Sequence, residues 1–287
     1  MKALISMAVV VIVATIFIFN IETQPTGAET KQTEDSSYNI LVLGCDESGL
    51  RPDSILLVNV DSAQSRVSML SIPRDTKIQM DGASHKINSC IVLSGKEALF
   101  EQVRSLTGVP IDYYIMLKTG VFAKVVDALG GVEYTVEKDM KYSDPAQNLY
   151  INLKAGTQTL TGDQCEQYCR YRKYAMGDLT RTKHQQQLLK SLVQQKAKLQ
   201  YVTALPKVYN ILKENAETDI TPSVIAQNLP LFKKMTENTL NIQTLDAPGE
   251  YNDMKKDGVC YYLADKEEIQ ALCKIYFRSN EHAKTEA

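Results

Sequence analysis

No excess of positive charge accompanies this chain: 32 lysines and arginines stand against 34 acids, for a formal net charge of −2. That balance argues against the broad basic surface with which nucleic-acid binders meet phosphate backbones, and no helix-turn-helix pattern stands out. Histidine is nearly missing, with three in 287 residues. His85 and His184 lack the spacing of a metal-binding pair and read as polar bystanders. Tryptophan is absent while tyrosine is abundant, which decides nothing. There is no internal repeat, and low complexity is confined to one short polar linker. Six cysteines are present, but their spacings match no zinc motif.

The ends set the compartment. Ala3 to Phe19 form an unbroken apolar run after Lys2, and Asn20 closes it. The run approaches the ~20 residues a helix needs to cross a bilayer. Thr26-Gly27-Ala28 is a poor version of a signal-peptidase site and lies past Pro25. Residues 1–20 are therefore expected to be an uncleaved signal-anchor, with a cleaved signal as the alternative. Lys2 as the only basic flank places the short N-terminus in the cytoplasm. The expected product is a single-pass protein of the cell membrane with its C-terminal domain extracellular. Residues 21–37 are too polar to fold alone and read as a flexible linker. Residues 38–278 form the extracellular domain, and 279–287 a disordered tail. In that compartment Cys45, Cys90, Cys165, Cys169, Cys260 and Cys273 invite a disulfide reading. Cys260–Cys273 is the first candidate bridge, and six buried free thiols are the alternative.

Asn39–Gly44 is a short continuous apolar run, as a strand covered on both faces requires. Ser54–Val60 and Val67–Ile72 read as a hairpin across Asp61–Ser65. Ala98, Leu99, Val103 and Leu106 then repeat at helical spacing until Gly108. Tyr113–Leu117 and Val132–Val136 are strands around the apolar stripe Val121, Phe122, Val125, Val126 and Leu129. Helices are expected after Gly162, from Thr182 (burying Leu188, Leu189, Leu192 and Val193), and across Val202–Met235. Thr221-Pro222 reads as a cap and first helical position. Leu240–Leu245 and Cys260–Leu263 read as late strands, and Asp265 caps a last helix. Strands mixed with helices throughout imply an α/β domain with helices packed on the faces of its sheet.

The densest chemistry lies in Cys169–Gln186, where Arg170, Arg172, Lys173, Arg181 and Lys183 surround Asp178. Like charges held close together repel, so an anion that neutralises them is the reading with a physical cause. Guanidinium groups grip phosphate oxygens two at a time. A solvated helix face is the alternative. Asp46 ends the first strand and Asp53 begins the second, so both carboxylates sit at one end of the sheet. Two oxygen ligands completed by water and substrate phosphate are how Mg²⁺ is commonly held, although Asp at a strand end more often makes a turn. Arg74 and Asp75 leave the third strand at the sheet margin, where α/β proteins bind ligands, and Lys86 follows a glycine-containing turn.

Seven segments occur in a recognisable order: Leu43–Asp46, Arg51–Ser54, Ser71–Thr76, His85–Asn88, Val126–Val132, Gly156–Gly162, and Arg170-x-Arg172 with Asp178, Arg181 and Gln185. With them the chain closely resembles the LytR–CpsA–Psr family of membrane-anchored phosphotransferases. The resemblance implies an α/β/α sandwich with a central mixed sheet and an apolar pocket for a polyprenyl chain. It implies transfer of a glycopolymer, such as teichoic acid or capsule, from a polyprenyl-pyrophosphate carrier to peptidoglycan, with Mg²⁺ as cofactor. A polyprenyl-pyrophosphate pyrophosphatase is the alternative, with a non-catalytic lipid-glycan binder and a membrane-tethered regulator behind it. Carried over by position, Asp46 and Asp53 are the metal acids. Arg51, Arg74, Lys86, Arg170, Arg172, Arg181 and Gln185 are the pyrophosphate contacts. Arg74, Asp75 and Asp178 are the catalytic candidates, with Asp75 or Asp178 orienting or deprotonating the acceptor hydroxyl. His184 departs from the family, which often carries arginine before this glutamine. The implied partners are the lipid-linked donor, peptidoglycan and the cytoplasmic membrane, without nucleic acid. Val121, Phe122, Val125 and Val126 are candidate lipid contacts, although such a stripe is more often core.

Overall fold

The computed structural model describes residues 37–46, 48–61, 64–118, 120–145, 149–171, 187–188, 190–192, 194–196, 204–220, 241–252 and 258–277. The expected signal-anchor, nearly all of the linker and the tail lie outside them. Among the described residues no helix is long and apolar enough to cross a membrane.

The first strand, β1 (Ser37–Cys45), is buried from Asn39 onward. It pairs antiparallel with β2 (Pro52–Asp61), which pairs antiparallel with β3 (Arg66–Ile72). The hairpin expected between Ser54 and Ile72 is therefore formed. β6 (Tyr113–Leu117) runs parallel to β1, and β12 (Asn241–Asp246) runs parallel to β3. β11 (Ala216–Thr218) closes one edge antiparallel to β6, giving the order β11-β6-β1-β2-β3-β12. This six-stranded mixed sheet is the frame of the domain.

Side chains alternate across a strand, so each face of the sheet feeds its own core. Leu41, Leu43 and Cys45 pack with α1 (Cys90–Thr107) and α5 (Lys266–Tyr276). Ile40 and Val42 pack with α2 (Val121–Ala128), α3 (Gly162–Arg170) and α4 (Leu205–Asn215) on the other side. Helices thus cover both faces, as the α/β reading required. Val121, Phe122, Val125 and Val126 belong to this second core and are at most 2% exposed. Each such buried apolar side chain contributes about 1.5–3 kcal/mol.

The helix ends follow local rules. Gly108 takes φ 74° and stops α1. Thr161 and Gln164 form a reciprocal capping box on α3. The Asp265 carboxylate accepts from the Glu268 N–H at the start of α5. Ser94 and Gly95 leave helical geometry inside α1, bending it before Lys96.

Four two-stranded ribbons surround the sheet: β4 (Lys77–Met80) with β5 (Ala83–Lys86), β7 (Val132–Val136) with β10 (Gly156–Leu160), β8 (Met140–Asp144) with β9 (Leu149–Leu153), and β13 (Gly249–Tyr251) with β14 (Tyr262–Ala264). Sequence pattern indicated only β7 and β14. The signal for the first ribbon was present in Asp81-Gly82, whose φ values of 52° and 76° make the two-residue turn that such a pair favours.

Two expectations fail. The segment read as helix across Val202–Met235 turns extended at Ala216–Thr218, because that piece completes the open edge of β6. Residues 221–240, including the expected cap at Thr221-Pro222, lie outside the described part. Cys260 and Cys273 do not form a bridge, and none of the six cysteines is disulfide-bonded. Cys273 is buried on α5 in the core, whereas Cys260 sits half-buried in the loop before β14.

Two of the recurring segments serve architecture. Gly130 and Gly131 both take φ 77°, and a Cβ on Gly131 would meet the Leu160 carbonyl oxygen at 2.7 Å. The Gly162 N–H donates to the Asp127 carboxylate at 2.8 Å, and a Cβ on Gly162 would collide with the Ala123 backbone. Together they weld α2 to α3 at backbone contact.

Gly162→Ala should therefore lower stability by about 1–3 kcal/mol through overpacking, and Asp127→Ala by about 1 kcal/mol through loss of the cap. Urea unfolding of the full chain checks both, and an unchanged midpoint would contradict the weld. Burial pushes the thiols of Cys45 and Cys273 up to about 12 and that of Cys90 up to about 11, and raises Cys165 further. Native protein at pH 8 should accordingly incorporate iodoacetamide at Cys260 alone, and all six sites should react in denaturant.

Candidate functional site

Strand direction decides where the charged residues meet. β1 and β3 run the same way and β2 runs back between them, so Gly44 faces Ser54 and Ile55 faces Ile72 at one end of the sheet. The residues just past those ends are Asp46, Asp53, Arg74 and Asp75. Four positions from three strand ends are thus gathered at a single margin.

There they form an alternating chain of charge. The Arg74 Nη1 donates to the Asp53 carboxylate, and its Nε lies 3.8 Å from Asp75 Oδ1. Asp75 accepts from Lys86 Nζ at 3.0 Å across the β5 ribbon. Arg74 Nε is buried and makes no hydrogen bond, and the Asp53 bond uses one Nη1 hydrogen of the five guanidinium donors. The turn that carries Arg74 is held from several sides. Thr76 donates its N–H and its hydroxyl to the Pro73 carbonyl at 3.0 and 2.6 Å. The Asn88 N–H donates to the Arg74 carbonyl, and the Tyr262 N–H donates to the Asp75 carbonyl at 2.9 Å.

Asp46 opens the β1–β2 loop. Its N–H donates to the Arg51 carbonyl at 3.1 Å, its carbonyl accepts from the Gly49 N–H, and its carboxylate accepts from the Ser48 hydroxyl. The Cys45 thiol is pushed up to about 12 first by burial and then by the carboxylates of Asp46 and Asp53. Both acids therefore bear on one point from adjacent strands. Two carboxylates so placed suit a hard cation that keeps several waters and completes its shell with phosphate oxygens. Among the described residues no larger cluster of metal-ligating side chains occurs.

The structure thus brings Asp46, Asp53, Arg74, Asp75 and Lys86 to one end of the sheet. Arg51 lies exposed in the adjoining loop, and its guanidinium has no ion-pair partner among the described residues. Arg170 ends α3 and lines an open cleft with Leu149, Tyr150, Asp163, Glu166 and Gln167. Arg172, Asp178, Arg181, His184 and Gln185 lie outside the described residues. Three contributors escaped the sequence reading. Ser48 and Tyr262 act through a hydroxyl and a backbone N–H, and nothing in the local pattern distinguishes them. Glu217 also bears on Cys45 and pairs with Lys96, but it lay in a segment read as helix.

Comparison with known proteins identifies relatives of the whole domain. The LytR_cpsA_psr family model matches residues 18–277. Regulatory protein MsrR of Staphylococcus aureus (strain COL) is 32% identical over 246 residues, 83% of this chain and 74% of that protein. The Bacillus cereus polyisoprenyl-teichoic acid–peptidoglycan teichoic acid transferase TagU is 29% identical over 85% of this chain and 79% of its own length. Among solved structures, B. subtilis TagV superposes with a TM-score of 0.70 at 27% identity, covering 88% of this chain and 98% of that one. TagT bound to LI-WTA shares the fold, with a TM-score of 0.63 at 24% identity over 87% of this chain and 92% of that one. With the match spanning nearly the whole domain, the chain belongs to the LytR_cpsA_psr family.

Proposed function

We propose that the protein is a phosphotransferase that moves a glycopolymer from a polyprenyl-pyrophosphate carrier to peptidoglycan. The observation that carries the reading is the convergence of Asp46, Asp53, Arg74, Asp75 and Lys86 at one sheet margin. It is supported by kinship with a relative named for teichoic acid transfer to peptidoglycan. Phosphoryl transfer asks a protein to position its reactants and to stabilise charge developing on oxygen, and this margin carries the groups for both.

Charge balance argues for a metal. The carboxylates of Asp46, Asp53 and Asp75 cancel the cations of Arg51, Arg74 and Lys86, so the described site has no net attraction for a diphosphate. Asp46 and Asp53 would hold Mg²⁺, which supplies positive charge at the phosphate oxygens. Arg170, Arg172 and Arg181 would add the remainder, with Gln185 as a further phosphate contact. Arg74, fixed by Asp53, orients the departing phosphate with its remaining Nη hydrogens. Asp75 holds Arg74 and Lys86 in place, so the proton of the attacking sugar hydroxyl falls to Asp178. The lipid tail would occupy an apolar pocket between helices and sheet. Anchoring by residues 1–20 would confine enzyme and lipid donor to one bilayer surface, raising their effective concentration.

Full-length protein given lipid-linked donor and Mg²⁺ should attach polymer to peptidoglycan, and chelation with EDTA should stop it. Equal release of lipid monophosphate with and without peptidoglycan would instead establish a pyrophosphatase. Arg74→Ala should lower turnover by about 10²–10³-fold. Arg74→Lys should recover little, since an ammonium cannot bridge Asp53 and a diphosphate together. Asp178→Asn should abolish turnover while donor binding survives; lost binding with intact turnover would remove its role as base.

A further inference from the structure

We infer that an ordered water molecule is bound between Asn59 Oδ1 and Ser68 Oγ, inside a helix-covered face of the sheet, and that it locks β2 to β3. The inference is independent of the proposed reaction. Asn39 on β1 stands opposite Asn59 on β2, and Asn59 stands opposite Ser68 on β3. The three make one polar row across three strands, and Leu41, Leu57 and Leu70 continue the same face as core. None of the three is more than 1% exposed.

The β1 side of the row is complete. The Asn39 N–H donates to the Asp112 carboxylate at 2.7 Å, and its Nδ2 donates to the Pro110 carbonyl at 3.0 Å, which leaves its Oδ1 towards β2. Asn59 Nδ2 donates to that oxygen at 2.9 Å, to the Ser37 hydroxyl at 2.7 Å and to the Tyr38 carbonyl at 3.3 Å. Flipping the Asn59 amide would set oxygen against the Tyr38 carbonyl and Asn39 Oδ1, so its orientation is fixed by the network. Asn59 Oδ1 is thereby left on the side away from β1, where Ser68 stands. Neither Asn59 Oδ1 nor Ser68 Oγ has a hydrogen-bond partner. Arg66 Nε, at the next pair along the same face, is also without one, so orphaned polar atoms gather here rather than scatter.

The spacing selects the ligand. Directly opposed residues on antiparallel strands hold their Cβ atoms about 4.5–5.5 Å apart. Two bonds of about 2.8 Å meeting at the angle of a water molecule span about 4.5 Å. Water can donate to Asn59 Oδ1 and exchange a second bond with the serine hydroxyl, which serves as donor or acceptor. A hard cation would need more oxygens than this pair offers. An apolar group would leave Asn59 Oδ1 buried and unpaired. The short serine makes the room that a leucine, as at position 70, would fill. With Asn59 clamped to β1 directly and to β3 through water, a slip of β2 by one residue would break both links. The register that lets Asp53 meet Arg74 at the opposite end of these strands is held in part by this row.

Crystals of the full chain in detergent test the site directly. At high resolution they should show a water peak about 2.7–3.0 Å from both Asn59 Oδ1 and Ser68 Oγ. A direct bond between the two side chains, or an empty gap, overturns the inference. Two substitutions give a second reading by urea unfolding of the full chain. Ser68→Ala keeps the space, so the water stays on Asn59 and the midpoint falls slightly. Ser68→Val fills the space and expels the water, so the midpoint should fall further. A dry gap predicts the reverse order, because the added methyl groups would fill a void. A Ser68→Val midpoint equal to or above that of Ser68→Ala therefore also overturns the inference.

Discussion

The pairing of Arg74 with Asp53 is the contact that ties the charged margin of the sheet together. It joins the end of β3 to the start of β2, and it sits where burial is incomplete enough for ligand access. A lone guanidinium on a flexible turn would lose much of its orientation to rotamer freedom. Here a carboxylate grips it on one side, a second acid faces it on the other, and the turn beneath is hydrogen-bonded to the chain around Asn88 and Tyr262. Its direction is set before any ligand arrives. That is the kind of preorganisation from which electrostatic catalysis draws most of its effect.

The same arrangement explains why the sheet is mixed. Only an antiparallel meander brings the end of β1, the start of β2 and the end of β3 to one margin within a short stretch of chain. Parallel neighbours at β6 and β12 then give the helices their crossovers and allow both faces to be covered. The Tyr262 contact adds a long-range brace, since the C-terminal ribbon fastens the very turn that carries Asp75. Distant parts of the polypeptide are thereby enlisted to hold a few side chains.

Much of the fold was legible because local physics is strong where the chain is apolar. The run from Asn39 to Gly44, the stop at Gly108 and the cap at Asp265 each announce themselves within a few residues. The edge strand Ala216–Thr218 did not, because its three residues are extended only through pairing with β6. Nor did most of the ribbons, whose half-exposed strands lack a strong period. The Cys260–Cys273 bridge was a matter of counting, and counting does not see that Cys273 is held in the helix-covered core.

By itself the sequence determined the α/β class, the family and the roster of acids and bases, because apolar periodicity and motif order are properties of neighbouring residues. Tertiary structure alone decided which of those charges meet. It joined Asp53 to Arg74 and Asp75 to Lys86, and placed Arg170 on a cleft with Tyr150 and Glu166. Ion pairing depends on distances of a few ångströms between strand ends, and those are fixed only when both faces of the sheet are packed.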